Sequence, residues 1–234
     1  MRRYSNGFTL IEITIVLVIV GLLLGGILKG QELITGARVR NLISQRDAIT
    51  AAFFGFQDRF RALPGDYEKA DVSINCGATP CAKGNGNGSI ESAATGGGVT
   101  HEETLVWSHL TASGYLSGSY TFTDTGASDA TTPRNQYGAY LDLENDQQYG
   151  QGTAAKRHNL KTGAQISVEI ISELDRKIDD ANPYSGSFQF STYAGTAGTP
   201  PAATGAQGCI DTTVTPNVWA VRTGSTNCGG ASLL

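Results

Sequence analysis

The sequence predicts an α+β chain: a long N-terminal α-helix, membrane-spanning in its first half, packed against a small antiparallel sheet with extra short helices and long disulfide-closed loops. Three observations carry this. The 21 residues from Phe8 to Leu28 contain one ionisable side chain, Glu12. Beyond them, apolar residues recur at helical spacing. The remainder of the 234-residue chain alternates short aromatic or branched stretches with Gly-, Asn- and Ser-rich loops and carries four cysteines.

The first element is the apolar run. About 20 apolar residues in a helix cover a hydrocarbon core of about 30 Å, and Arg2 and Arg3 hold the leading end in the cytoplasm, so the remainder is exported. An ordinary secretory signal has an apolar core of about 7–15 residues and a small-residue cleavage site. Here the run is longer and leaves through LLLGGILKGQ, with no such site. A charge inside a membrane costs at least about 2.5–3.5 kcal/mol and is kept for a partner or a function, so Glu12 demands a role.

The stretch Gly7-Phe8-Thr9-Leu10-Ile11-Glu12 resembles the processing motif of type IV pilins and type II secretion pseudopilins. The resemblance implies a pilin-like fold and a leader, residues 1–7, removed by a prepilin peptidase that cuts after Gly7 and methylates Phe8. Residues 8–30 would then be the transmembrane and filament-core helix, and 31–234 the periplasmic or extracellular head. It also implies that the Glu12 carboxylate faces the Phe8 ammonium of a neighbouring subunit. Opposite charges in a low-dielectric bundle are tolerable when paired and costly when one is missing. Many type IV pilins carry a proline late in this segment; no proline precedes Pro64 here, and Lys29 stands near its place.

After Gly36, Leu42, Ile49, Phe53, Phe56, Phe60 and Leu63 recur at spacings of 7, 4, 3, 4 and 3 with charged residues between them, the pattern of an amphipathic helix. Nothing between Phe8 and Arg61 stops a helix, so both segments form one rod on the order of 80 Å long, ended by Pro64-Gly65. Residues 66–100 read as a long loop. Thr100-His101-Glu102-Glu103 reads as a capping box, with Thr100 at the N-cap of a helix that Gly114 stops. Tyr120–Thr123, Gln136–Leu143, Ser187–Thr192 and Asn217–Arg222 read as strands. Val168, Ile171, Leu174 and Ile178 mark a second amphipathic helix running to Asp179. A Gly/Thr/Ala/Pro loop, Tyr193–Gly208, follows it.

The cysteines, in a chain sent across a membrane, form two disulfides. Sequential pairing, Cys76 with Cys81 and Cys209 with Cys228, is the simplest of three connectivities, all of which remain open.

Chemistry is sparse. His101, His109 and His158 form no metal-ligand spacing, and no GxSxG, P-loop or dinucleotide fingerprint occurs, so no enzymatic activity is expected. The net charge of −4 gives no footprint for nucleic acid. Removing Arg2 and Arg3 leaves 15 basic residues against 21 acidic ones, a net −6, so the head is acidic. One metal signal stands out: Gly84–Glu91 echoes the alternating short polar side chains and glycines of calcium loops, although Lys83 takes the place of the usual first aspartate and Ala94 that of the terminal glutamate. Asp66, Asp71, Asn85, Asn87 and Glu91 are the candidate ligands for a structural Ca2+; Asp179, Asp180 and Asn182 form a second group.

The expectation is therefore a structural subunit of a type IV pilus-like filament. Its partners would be prepilin peptidase, identical or related subunits and an inner-membrane assembly platform, and its place the inner membrane, then a cell-surface filament. The rival is a type II secretion pseudopilin or minor pilin in a periplasmic pseudopilus. A remoter alternative is an exported enzyme or binding module on a pilin-type anchor.

Overall fold

The computed structural model describes residues 10–77, 79–94, 99–149, 155–195 and 198–234. One helix, α1 (Leu10–Phe60), carries both the apolar run and the amphipathic segment, as the unbroken pattern predicts. The chain divides into two units, residues up to Arg38 and Val39–Leu234. In the first, residues 10–29 are exposed on every side of the helix.

The second unit is built on the amphipathic end of α1. Ile49, Phe53 and Phe56 are buried against Val106, Trp107 and Leu110 of α3 (Glu102–Ala112) and against Leu141, Leu143 and Leu160 of the sheet region. Val39 and Leu42 enter a second core with Ile171 and Leu174 of α4 (Val168–Ile178), Phe188, Phe190, Trp219 and the Cys209–Cys228 pair. Five of the six predicted stripe residues, Leu42, Ile49, Phe53, Phe56 and Leu63, are thus core, and Phe60 packs against them half-buried. The helix ends at Phe60, ahead of Pro64-Gly65, because Arg61 turns left-handed with φ 53°. Gly65 (φ +90°) then lets the chain pass α3 so closely that a Cβ would lie 2.7 Å from the Glu102 carbonyl oxygen.

Four strands form an antiparallel sheet in the order β1 (Asp142–Asp146), β2 (Arg157–Lys161), β6 (Gly230–Leu233), β3 (Phe188–Phe190). Asp142 lies opposite Lys161 on β1 and β2, and Ser232 of β6 lies opposite Leu160 and Phe188. β4 (Ile210–Asp211) and β5 (Val218–Trp219) make a separate pair. A four-residue helix, α2 (Ala70–Ser73), interrupts the segment read as one long loop.

Several expected elements shift. Tyr120–Thr123 is not a strand; Thr121 N–H donates to the Ala130 carbonyl 2.9 Å away, within a loop. The Gln136–Leu143 strand starts only at Asp142, because Asn135 Oδ1 accepts the N–H groups of Tyr137 and Ala139 and bends the approach. Ser187–Thr192 shortens to β3, and Asn217–Arg222 to β5 followed by a 3-10 turn, Val221–Thr223. The capping box does not form. His101 is the N-cap of α3, Thr100 and His101 donate their N–H groups to Asp124 Oδ1 (2.8 and 2.9 Å), and Glu103 pairs with the His101 ring at 2.8 Å. Gly114 (φ +81°) stops the helix as expected. Both disulfides follow the sequential pairing, Cys76–Cys81 and Cys209–Cys228.

Candidate functional site

The strongest functional signal lies in the apolar helix. Gly7 and Phe8, the residues of the cleavage junction, lie outside the described residues. Glu12 sits in the first turn of α1, where a carboxylate is favoured by the helix dipole. From Leu10 to Leu28 the large apolar side chains are bare, Leu10 at 83%, Leu22 at 74% and Leu28 at 67% exposure among them. A helix apolar on every side is stable only in lipid or inside a bundle of like helices. By length and composition the helix is long and apolar enough to cross a membrane.

In the head, the glycine-asparagine loop wraps around two carboxylates. Asp66 Oδ1 accepts the Asn87 N–H at 3.0 Å and Oδ2 that of Gly88 at 2.8 Å. Burial raises Asp66 above the ordinary aspartate value, against the pull of these amides. Glu102, from the first turn of α3 and fully buried, takes the Asn85 N–H on one oxygen (2.9 Å) and the Glu91 N–H on the other (3.3 Å). Burial pushes it up to about 7. The Asn85 and Asn87 side-chain oxygens accept the N–H groups two residues ahead, and Asn87 Nδ2 donates to Glu91 Oε2 at 3.2 Å. Asp71 instead pairs with Lys83 at 3.4 Å. Of the five candidate calcium residues, Asp66, Asn85, Asn87 and Glu91 therefore share one hydrogen-bonded loop, while Asp71 is held by Lys83. Glu102, which closes the loop, escaped the sequence reading because it stands inside the expected capping box, whose two roles fell to Thr100 and Glu103.

The sheet holds a second polar centre. Lys161, 1% exposed on β2, forms ion pairs with Asp142 (3.1 Å), Asp146 (2.8 Å) and Glu144 of β1, and its Nζ lies 5.5 Å from the centre of the Tyr193 ring. Burial alone would lower the ammonium, but Asp142 and Glu144 overcome that and hold it above the ordinary lysine value. Burial raises Asp142, because one cation does not balance three carboxylates. The acids at 142, 144 and 146 have the two-residue spacing that puts them on one face of a strand, which is the signal that could have revealed them.

The histidines serve local structure. His109, buried, accepts the Gly65 N–H on Nδ1 (3.0 Å) and places Nε2 2.9 Å from the Ala82 carbonyl oxygen; His158 Nε2 accepts the Ile90 N–H at 3.3 Å. Burial lowers both below the ordinary histidine value, His109 to about 4.

Neither a curated protein nor a solved structure matches the chain. Residues 2–28 do match the model of the prokaryotic N-terminal methylation motif, and the chain therefore carries the prepilin motif of type IV pilins and pseudopilins.

Proposed function

We propose that the chain is a structural subunit of a type IV pilus-like filament. The observation that supports this best is the helix of residues 10–29, apolar and bare on every side and beginning inside a prepilin motif. As a precursor the chain is anchored in the inner membrane with its head in the periplasm. Prepilin peptidase removes residues 1–7 and methylates Phe8. In the filament, copies of the helix replace lipid around one another, and the Glu12 carboxylate meets the Phe8 ammonium of a neighbour, which sets the axial register. An inner-membrane platform drives assembly. The prepilin motif points to a structural subunit rather than a catalyst.

A second reading, a pseudopilin of a type II secretion system, is favoured by one observation: α1 runs from Leu10 to Phe60 without a proline, where many type IV pilins have one.

The test is the intact mass of the protein in material sheared from cells and in material left in the envelope. A chain beginning at methylated Phe8 and abundant in the sheared fraction is the expected result. The same mature chain confined to the envelope identifies a pseudopilin or minor subunit, and any other N-terminus overturns both readings.

A further inference from the structure

A groove of about 320 Å³ opens beside the Cys76–Cys81 loop, between one face of α3 and residues 118–122. That volume lies at the lower end of the roughly 300–1,000 Å³ of small-ligand sites. Among the described residues no charged side chain lines it, in a chain of net charge −4. Its polar groups are hydroxyls, from Thr79, Ser108, Thr111 and Thr121, and the Asn75 amide; its rings are those of Tyr120 and Phe122.

Both walls are held from behind. The disulfide closes one, and the Ala82 carbonyl oxygen just beyond it lies 2.9 Å from His109 Nε2. Asn75 Oδ1 accepts the Gly77 N–H at 2.9 Å, which keeps the side-chain NH2 for other acceptors. In the other wall Gly118 has φ +121°, and a Cβ there would lie 3.1 Å from the Tyr120 ring, so the ring rests on bare backbone.

Ser108 shows what the groove lacks. It is 7% exposed and lines the groove, and its hydroxyl has no hydrogen-bond partner among the described residues. The Trp107 indole nitrogen, also unpartnered, is sealed; the Ser108 oxygen is not, and the groove is the opening that this residue lines. A nearly buried hydroxyl left unbonded carries a desolvation cost that a group entering the groove would remove. Thr111, three residues on and so on the same face of α3, donates its hydroxyl proton to the Trp107 carbonyl oxygen at 2.8 Å and keeps lone pairs to accept.

We propose that this groove binds a neutral saccharide, a mono- or disaccharide unit. Hydroxyl groups both donate and accept, and they suit a ligand whose own groups do both. The negative face of an aromatic ring attracts the weakly positive C–H groups of a sugar. Phosphate and carboxylate ligands are drawn to Arg and Lys, which the groove does not present. The inference is independent of whether the chain assembles into a filament.

The experiment is saturation-transfer NMR on the full chain in a detergent without a sugar headgroup. The probes are lactose, maltose, cellobiose and N,N′-diacetylchitobiose, with glucose 6-phosphate as the anionic comparator. At least one of the disaccharides is expected to bind, with a Kd on the order of 1 mM, and glucose 6-phosphate is not. Ser108→Ala should weaken that binding by about two- to tenfold and leave the melting temperature unchanged or raised, because the lost hydroxyl bonds nothing in the protein. Tyr120→Ala should weaken it by about tenfold. Gln148→Ala, at a separate uncharged groove beside Tyr149 and Tyr184, should leave it unchanged. The proposal is overturned if none of the disaccharides binds, if glucose 6-phosphate binds as tightly, or if Ser108→Ala and Tyr120→Ala both bind as tightly as wild type. Loss of binding in Gln148→Ala alone would place the sugar in the other groove and equally overturn it.

Discussion

Lys161 Nζ stands 3.1 Å from the Asp142 carboxylate on the neighbouring strand, and both side chains are nearly sealed from solvent. The strand register puts them directly opposite each other, and Glu144 and Asp146 extend the same face. Removing one partner of a buried ion cluster leaves the others uncompensated, which costs about 3–5 kcal/mol. Lys161→Met is therefore expected to lower the unfolding free energy in urea by that amount at neutral pH. Because burial already raises Asp142, the variant should recover stability as pH falls and the carboxylates protonate. A variant as stable as wild type at pH 7.5 would show that the cluster is not the strut described here.

His109 supplies a pH dependence of opposite sign. Its folded-state value is lowered to about 4 by burial, while an unfolded histidine titrates near its ordinary value of 6.5. The unfolded chain thus binds a proton that the folded chain refuses. The contribution of His109 is fully present above pH 6.5 and is lost as pH falls toward 4, at up to about 1.4 kcal/mol per unit. In NMR of the detergent-solubilised chain, the His109 ring should remain neutral, with its proton on Nε2, down to about pH 4. A midpoint near 6.5 would contradict the buried geometry.

Glu102 holds the glycine-asparagine loop by two backbone amides, those of Asn85 and Glu91. Glu102→Ala leaves both donors without an acceptor in a buried place and should cost about 1–3 kcal/mol. Glu102→Gln keeps one acceptor and should cost less. Hydrogen exchange is the direct readout: amides 85 and 91 should lose protection in the Ala variant before amides of α3 do.

Glu12→Val removes the only ionisable group between Phe8 and Leu28. If its role is the pairing with Phe8 of a neighbour, the variant should still be cleaved after Gly7, and filament yield in the sheared fraction should collapse. Normal yield would leave Glu12 without that role.

What sequence alone revealed follows from which forces have a period. The spine was legible because its apolar residues recur at helical spacing, and Phe53 and Phe56 fall where that spacing puts them. α4 was legible for the same reason, and the disulfides because cysteines near in sequence pair most simply. Strands β2 and β6 were not. Arg157–Lys161 and Gly230–Leu233 contain no Val, Ile, Thr, Phe, Tyr or Trp; they become strands through partners elsewhere in the chain. Thr100 has the residue type of a cap, but Asp124, contributed by a distant loop, takes over the amides it would have served. Asp175 carried no signal in the sequence; only the tertiary fold brings Trp219 and the turn at Asp179 and Asp180 to it.

The position of β6 in the sheet has a consequence for how the head matures. It is the last of the described strands in sequence order, yet it lies between β2 and β3. Until residues 230–233 arrive, the β1–β2 hairpin has an open inner edge and β3 has no partner in the sheet. Long-range pairing of this kind is slow, and open edges attract foreign strands. The sheet therefore stays unfinished and vulnerable until residues 230–233 join it, and deleting those four residues would harm the fold more than their number suggests.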